Sequence, residues 1–136
     1  GDDLLKEVAR RLDLALVSYG TVARLGGDEF AFLISEKTGP NWQSEPIQKI
    51  FAAMKEPILL NDTRHLCTLS LGLTVFPDEA KTASDLLKNA DLALYCAKER
   101  GRDRVQHYAP RMRVALEKSY RLQQDLRAAI VSNALC

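Results

Sequence analysis

The sequence has no long hydrophobic run and almost no net charge. Its longest apolar stretches, such as 14–17, are far shorter than the roughly 20 residues that a membrane-spanning helix needs. The 19 basic and 18 acidic side chains nearly cancel, so the protein as a whole does not attract nucleic acid or an anionic membrane. A transmembrane segment and a nucleic-acid partner are therefore not expected. An anionic ligand must be held by a local cluster of charges.

Cysteine is also scarce. Cys67, Cys96 and Cys136 are an odd number at wide spacings, with neither a CxxC pair nor the disulfide framework of a small secreted domain. The acidic opening, Gly1 followed by Asp2 and Asp3, differs from the basic and then apolar pattern of a signal peptide. We therefore expect reduced thiols and a cytoplasmic location, with any membrane anchor of a parent protein lying in regions not present here.

Apolar residues recur with helical or strand spacing along most of the chain. Steps of three and four residues predict helices at 4–16, 44–57 and 84–101. β-prone runs predict strands at 21–25, 30–34, 58–60, 66–76 and 105–108, with a loop at 39–41. This order predicts an α+β sandwich with a mostly antiparallel central sheet flanked by helices.

Two of these elements carry more detailed expectations. The strand 66–76 is expected to form a hairpin with 58–60 and, because apolar residues alternate with small polar ones, to bury only one face. A helix that opens the domain with no strand before it leaves one sheet edge unaccounted for, so an upstream segment is expected to be missing. The domain is expected to span 1–108, with 109–136 as a linker helix.

The tip of the first predicted hairpin joins two glycines to two carboxylates, in the order Gly26, Gly27, Asp28, Glu29. Glycine lets the backbone approach a bulky ligand, because it carries no side chain. Adjacent carboxylates are hard oxygen donors that suit a magnesium ion bound to a substrate phosphate. An ordinary hairpin turn has the same composition, so on these residues alone both interpretations stay open.

A second cluster lies near the end of the predicted helix 84–101. Lys98 and Arg102 are four residues apart, and Arg104 follows them. Cations at the end of a helix are favourable without any ligand, so this cluster alone is also undecided. At the start of the chain, Asp2 and Asp3 lie where acidic side chains cap a helix.

Taken together, the motifs resemble those of the GGDEF family of diguanylate cyclases. The resemblance covers about residues 1–108 and rests on four separated motifs in the family's order. The motifs are 22–34 around Gly26-Gly27-Asp28-Glu29-Phe30, then Ser70-Leu71-Gly72, then Asp91–Lys98, and then Gly101–Val105. The resemblance implies a nucleotide-cyclase-like fold with a ferredoxin-like core, whose first strand would lie before Gly1.

Family members join two GTP molecules into cyclic di-GMP, a bacterial second messenger, with two domains meeting as a dimer. By resemblance, Asp28 and Glu29 would bind Mg²⁺ or Mn²⁺ and serve catalysis. The residues that would contact GTP are Asp2 at the guanine and Gly26, Gly27, Lys98 and Arg102 at the phosphates. For Asp2 this role replaces capping. The alternative is a catalytically weak GTP-binding module that regulates an attached cyclic di-GMP phosphodiesterase.

Departures from the family pattern carry expectations of their own. The family's first-strand metal ligand and a guanine-binding Asn would lie before Gly1, so the 136-residue chain alone is expected to be inactive. The family's product-inhibition motif, Arg-x-x-Asp, falls on Val17-Ser18-Tyr19-Gly20, so feedback binding is not expected there. The tail, with motifs at 107–112 and 126–130, resembles the connector to an EAL phosphodiesterase domain.

Overall fold

The computed structural model describes residues 2–35 and 44–112 and the backbone of 132–135. The helices are α1 (Asp2–Leu16), α2 (Ser44–Lys55) and α3 (Ala83–Glu99). The strands are β1 (Gly20–Gly26), β2 (Glu29–Ile34), β3 (Ile58–Leu60), β4 (Thr63–His65), β5 (Thr68–Leu73), β6 (Val105–His107) and β7 (Ser132–Leu135). The predicted α+β class is confirmed. None of the described helices combines the length and the hydrophobicity of a membrane-spanning segment.

The chain divides into two compact units, Gly1–Leu69 with Ala134–Cys136, and Ser70–Asn133. In the first unit, α1 contacts α2 and buries Leu4, Val8 and Leu12 of its predicted apolar face, together with Leu16. Leu5 and Ala15, predicted for the same face, are half-buried. β1 and β2 form the predicted antiparallel hairpin, and Phe30 on β2 is fully buried. The first unit therefore confirms the predictions for α1 and for the hairpin that carries the two glycines.

The second hairpin is shorter than predicted. β3 pairs with β4, so that Ile58 lies opposite His65. Asn61 and Asp62 have φ of 50° and 64°, as in the two-residue turns that return the chain at once. The return strand is therefore Thr63–His65, and the prediction that 66–76 is the second arm of this hairpin is wrong.

In the second unit, β5 pairs with β6 in parallel, with Leu71 opposite Val105. The prediction that only one face of β5 is buried is wrong, because Ser70 and Gly72 on the other face are buried as well. A Cβ atom at Gly72 would collide with the backbone of α3, at the oxygen of Ala90. The helix therefore lies directly against this strand, at a distance that only glycine permits.

Both ends of α3 have identifiable caps. Thr82 is the N-cap in place of the predicted Ser84, and its Oγ1 accepts the backbone N–H of Asp85 at 3.1 Å. At the other end, where the predicted helix stops, Gly101 follows α3 with φ of 111°, a conformation that glycine commonly adopts just after a helix. Asn89 is buried and donates to the backbone oxygen of Glu79 at 2.7 Å. Leu87 is exposed, although the helical spacing of the apolar residues in 84–101 predicts that it faces the core.

The thiols and the tail differ in part from prediction. Cys96 is free and burial raises its pKa, but Cys67 is disulfide-bonded, so the prediction of reduced thiols is wrong for Cys67. Residues 110–112 are helical, whereas Ser132–Leu135 form a strand, so a helix does not continue through β7. Residues 113–131 of the linker and the predicted loop at 39–41 lie outside the described residues.

Arg11 ties α1 to the end of α2 within the first unit. Its guanidinium donates to the backbone oxygens of Ala53 at 3.2 Å, Pro57 at 3.0 Å and Glu56. The last carbonyls of a helix have no intrahelical partner, so a side chain that donates to them caps the helix from outside.

We predict that Arg11→Met lowers the free energy of unfolding by about 2–3 kcal/mol, because several charge-assisted hydrogen bonds are lost at once. Arg10→Met is the matched control. The Arg10 side chain is 60% exposed and pairs only with Glu7 among the described residues, so its loss is expected to cost much less than the loss of Arg11. Urea denaturation measures both variants, and equal losses would contradict the capping role of Arg11.

Glu7 gives the first unit a pH dependence at low pH. Hydrogen bonds from Arg10 and Arg11 lower the pKa of Glu7 from 4.5 to about 2. A carboxyl with a lowered folded-state pKa contributes stability that is present above its unfolded pKa and lost as the pH falls through its folded pKa. We predict that Glu7→Gln costs up to about 1 kcal/mol at pH 7. The difference should shrink as the pH falls from 4.5 towards 2 in thermal unfolding; a constant difference would argue against this ionisation.

Candidate functional site

Four of the predicted site residues lie at the tip of the β1–β2 hairpin. Gly26 pairs with Glu29, and residues 27–28 form the turn between the strands. Gly26 has φ of 152° and Gly27 has φ of 52°, both in the region that favours glycine. The Nε of Arg24 donates to the backbone oxygen of Gly27 at 2.8 Å and holds the turn from its β1 side. The sequence folds this way locally because two successive glycines relieve the conformational cost of the turn.

The hairpin tip has open space beside its glycines, and the residue that follows its carboxylates is buried in the core. Among the described residues, and apart from each glycine and its two chain neighbours, no atom lies within 4 Å of the position that a Cβ would take at Gly26 or Gly27. Asp28 and Glu29 are half-buried, and the next residue, Phe30, is 0% exposed. Two carboxylates are thereby fixed beside open space, on a strand that is anchored in the core.

The donor chemistry of this tip suits a hard divalent ion. Magnesium commonly takes one or two carboxylates and completes its coordination with waters and substrate phosphates. In the part of the chain that the structure describes, no three His, Cys, Asp or Glu side chains are grouped to hold a metal. Asp28 and Glu29 therefore fit part of a magnesium site, which needs further ligands from a substrate or from other residues.

The predicted cations lie in the second unit, where α3 ends. Lys98 is half-buried on the last turn of the helix, and Arg102 is exposed in the loop that follows. Arg102 has φ of 62°, which is uncommon for a residue with a side chain. Neither side chain forms an ion pair with another described residue. Two cations on one helix end are thus available to an anion.

Asp2 lies inside the first turn of α1 and is exposed. It lines a cavity of about 350 Å³ together with residues of the β3–β4 hairpin, namely Leu60, Asn61, Thr63 and His65. The sequence pattern did not point to these hairpin residues, because they come from a distant part of the chain and form no motif with Asp2. The predicted site residues therefore occupy three places: the hairpin tip and the start of α1 in the first unit, and the end of α3 in the second.

Comparison with known proteins gives a consistent result. The family described as diguanylate cyclase, GGDEF domain, matches residues 1–104. An uncharacterized signaling protein from Caulobacter vibrioides is 36% identical over 136 residues, which is 99% of this chain and 17% of that protein. The cyclic di-GMP phosphodiesterase NbdA from Pseudomonas aeruginosa is 33% identical over 135 residues, again 99% and 17%. The diguanylate cyclase TpbB from the same species is 38% identical over 103 residues, 75% of this chain and 24% of that protein.

Solved structures agree with these matches. The GGDEF domain of TpbB from Pseudomonas aeruginosa aligns with a TM-score of 0.79 and 33% identity, covering 86% of this chain and 69% of that one. An EAL/GGDEF domain protein from M. capsulatus aligns with a TM-score of 0.74 and 34% identity, covering 81% and 71%. The chain spans only 17% of the length of the first two curated relatives. The chain belongs to the GGDEF family, and its relatives support a role in cyclic di-GMP signalling.

Proposed function

We propose that this domain is one half of a diguanylate cyclase, which joins two GTP molecules into cyclic di-GMP when two such domains meet as a dimer. The observation that carries the proposal is the hairpin tip. Two glycines at positive φ leave open space directly before two half-buried carboxylates. The relative TpbB, 38% identical over 103 residues, is named a diguanylate cyclase, which supports the same activity here.

The glycines and the carboxylates of the hairpin tip have different roles at the reacting phosphate. Gly26 and Gly27 let the backbone approach the triphosphate, since no described atom fills the space beside them. Asp28 and Glu29 would hold Mg²⁺ or Mn²⁺. When bound, such an ion offsets the negative charge that develops as the 3′-hydroxyl of the facing GTP attacks the α-phosphate and pyrophosphate leaves.

The remaining contacts hold the two ends of the nucleotide. Lys98 and Arg102 are proposed to bind the phosphates, because the guanidinium offers paired donors and the ammonium a compact charge. Asp2 is proposed to accept hydrogen bonds from the donors on guanine, beside the cavity of about 350 Å³. Each half-site binds one GTP, so activity depends on dimerisation.

A second function is favoured by the relatives. NbdA, 33% identical, is named a cyclic di-GMP phosphodiesterase, and the M. capsulatus protein is described as an EAL/GGDEF domain protein. In a protein of that kind, residues 1–108 would be a GTP-binding module and 109–136 the linker to an EAL domain.

The test compares the 136-residue chain with a longer protein that includes the upstream strand and helix, at equal concentration. With GTP and Mg²⁺, we expect the longer protein to form cyclic di-GMP, detected by chromatography, and the shorter chain to form none. Metal binding and phosphate positioning act as a unit, so an incomplete ligand set loses most of the rate. GTP binding without product in the longer protein would favour the regulatory function, and equal activity of both would contradict the placement of the missing residues.

We predict that product does not bind at residues 17–20. Val17 is 74% exposed, and neither it nor Gly20 offers a charge to a guanine or phosphate. A Cβ at Gly20 would also collide with the backbone oxygen of Leu33, so V17R/G20D is not expected to rebuild a site without displacing β2. Calorimetric titration of cyclic di-GMP should show no binding that depends on these residues. Tight binding that is lost when residues 17–20 are changed would refute the prediction.

A further inference from the structure

The loop Gly101–Arg104, here called the cationic loop, joins α3 to β6 and carries Arg102. Three successive residues in it have positive φ: Gly101 at 111°, Arg102 at 62° and Asp103 at 48°. Residues with side chains populate this region sparsely, so a run of this kind persists only where surrounding contacts hold it. The contacts that hold the loop therefore decide where the Arg102 backbone lies.

Ser70 on β5 supplies one of these contacts. Its side chain is buried, with 2% of the residue exposed, and its Oγ accepts the backbone N–H of Asp103 at 3.1 Å. The next strand residue, Leu71, donates its N–H to the backbone oxygen of Arg104 at 2.9 Å. Strand β5 thus holds the two residues that directly follow Arg102.

The helix holds the loop from its other end. The N–H of Arg102 donates to the backbone oxygen of Ala97 at 2.9 Å, and that of Gly101 donates to Lys98 at 3.3 Å. The remaining side-chain bond, from Arg104 Nε to the oxygen of Arg102 at 3.0 Å, lies within the loop itself. Among the described residues, Ser70 is the one side chain outside the cationic loop that hydrogen-bonds to it.

We propose that Ser70 is a positioning residue that presets the cationic loop for a phosphate ligand. The buried hydroxyl holds Asp103 in the left-handed conformation and so fixes Arg102 at the end of the helix that carries Lys98. A cation already held in its binding geometry loses less freedom when the anion arrives, so the affinity for phosphate is higher. This role rests on the proposed function of Arg102. It also explains why a serine occupies position 70, on the same buried face of β5 as Gly72, against which α3 packs.

The experiment uses this chain, with inorganic pyrophosphate as the probe. In Ser70→Ala, we expect amide exchange at Asp103 to accelerate at least about tenfold and pyrophosphate affinity to fall about fivefold, as for the loss of one hydrogen bond. The NMR coupling between the amide and α protons of Arg102 and Asp103 should also change. Thr82→Ala is the matched control, because Thr82 accepts a backbone N–H at the same 3.1 Å at the other end of α3. It should leave Asp103 exchange and pyrophosphate affinity unchanged.

A rescue variant separates positioning from general stability. Glycine adopts positive φ without strain, so adding Asp103→Gly to Ser70→Ala is expected to restore part of the pyrophosphate affinity. If Ser70→Ala does not fold, pyrophosphate affinity is compared between the double variant and Asp103→Gly alone. The difference then measures the effect of the Ser70 hydroxyl. A merely structural role of Ser70 would lower stability without this selective rescue.

Three outcomes decide the proposal. Unchanged exchange at residue 103 after removal of the Ser70 hydroxyl overturns it. An equal fall in pyrophosphate affinity in Thr82→Ala also overturns it, because the effect would then follow the stability of α3. If the wild-type chain binds no pyrophosphate but Ser70→Ala still frees the Asp103 amide, the phosphate role of Arg102 fails while the hold of Ser70 on the loop stands.

Discussion

Asp28→Asn or Glu29→Gln, made in the longer protein, is expected to lower the rate of cyclic di-GMP formation by at least about 100-fold. Each change keeps the size of the side chain and removes its charge. The hairpin 20–34 contains no third acid that could replace either carboxylate. Initial rates at saturating GTP and Mg²⁺, with product separated by chromatography, measure the effect.

Two control variants test whether the loss is specific. Asp62→Asn changes an exposed acid in the turn of the other hairpin, where φ is 64° and asparagine is equally tolerated. Glu45→Gln changes an exposed acid on the first turn of α2. Both should keep near wild-type rates, and thermal unfolding should show that all four variants are folded. Unchanged turnover in Asp28→Asn and Glu29→Gln would remove the roles assigned to these residues.

Gly72→Ala is expected to lower the free energy of unfolding by about 3 kcal/mol or more, or to prevent folding. The added Cβ would collide with the backbone oxygen of Ala90 and the backbone nitrogen of Leu94. Because these are backbone atoms of a helix, no change of rotamer relieves the collision, and α3 must move away from β5. Urea denaturation followed by far-UV circular dichroism measures the change.

Thr68→Ala is the control for this variant, since it lies on the same strand and is exposed. Its expected effect is less than about 1 kcal/mol, the usual range for surface positions. A similarly small loss in Gly72→Ala would show that α3 moves off β5 at little cost. The close approach of α3 to β5 would then not require glycine at position 72.

The sequence predicted those elements whose own residues decide their structure. The helix α1 could be predicted from apolar residues at helical spacing, because an amphipathic helix buries its apolar face against the core. The β1–β2 hairpin followed from β-prone runs on either side of Gly26 and Gly27, since two glycines make a turn at low conformational cost. The residue types of the candidate site were readable for the same reason: adjacent acids and a cationic helix end are local patterns.

Strand β5 shows where local patterns fail. Its alternation of apolar and small residues predicted one buried face, but Ser70 and Gly72 are buried because α3 and the cationic loop cover them. Its parallel partner, β6, follows α3 along the chain, more than 30 residues after β5. No local sequence pattern specifies a pairing between such distant segments. The same limit applied to the cavity beside Asp2, whose other wall is the β3–β4 hairpin.

By itself, the sequence determined the family, the α+β class, and the acids, glycines and cations of the candidate site, because these depend on residue types at short spacings. Only the tertiary structure decided that Arg11 caps α2, that Gly72 admits α3, and that Ser70 holds the cationic loop. In the first and third of these contacts, a side chain binds the backbone of another element. In the second, a glycine without a side chain lets the backbone of a helix lie against the strand. A backbone partner has no signature in the sequence, since every residue carries the same carbonyl and nearly every residue the same N–H.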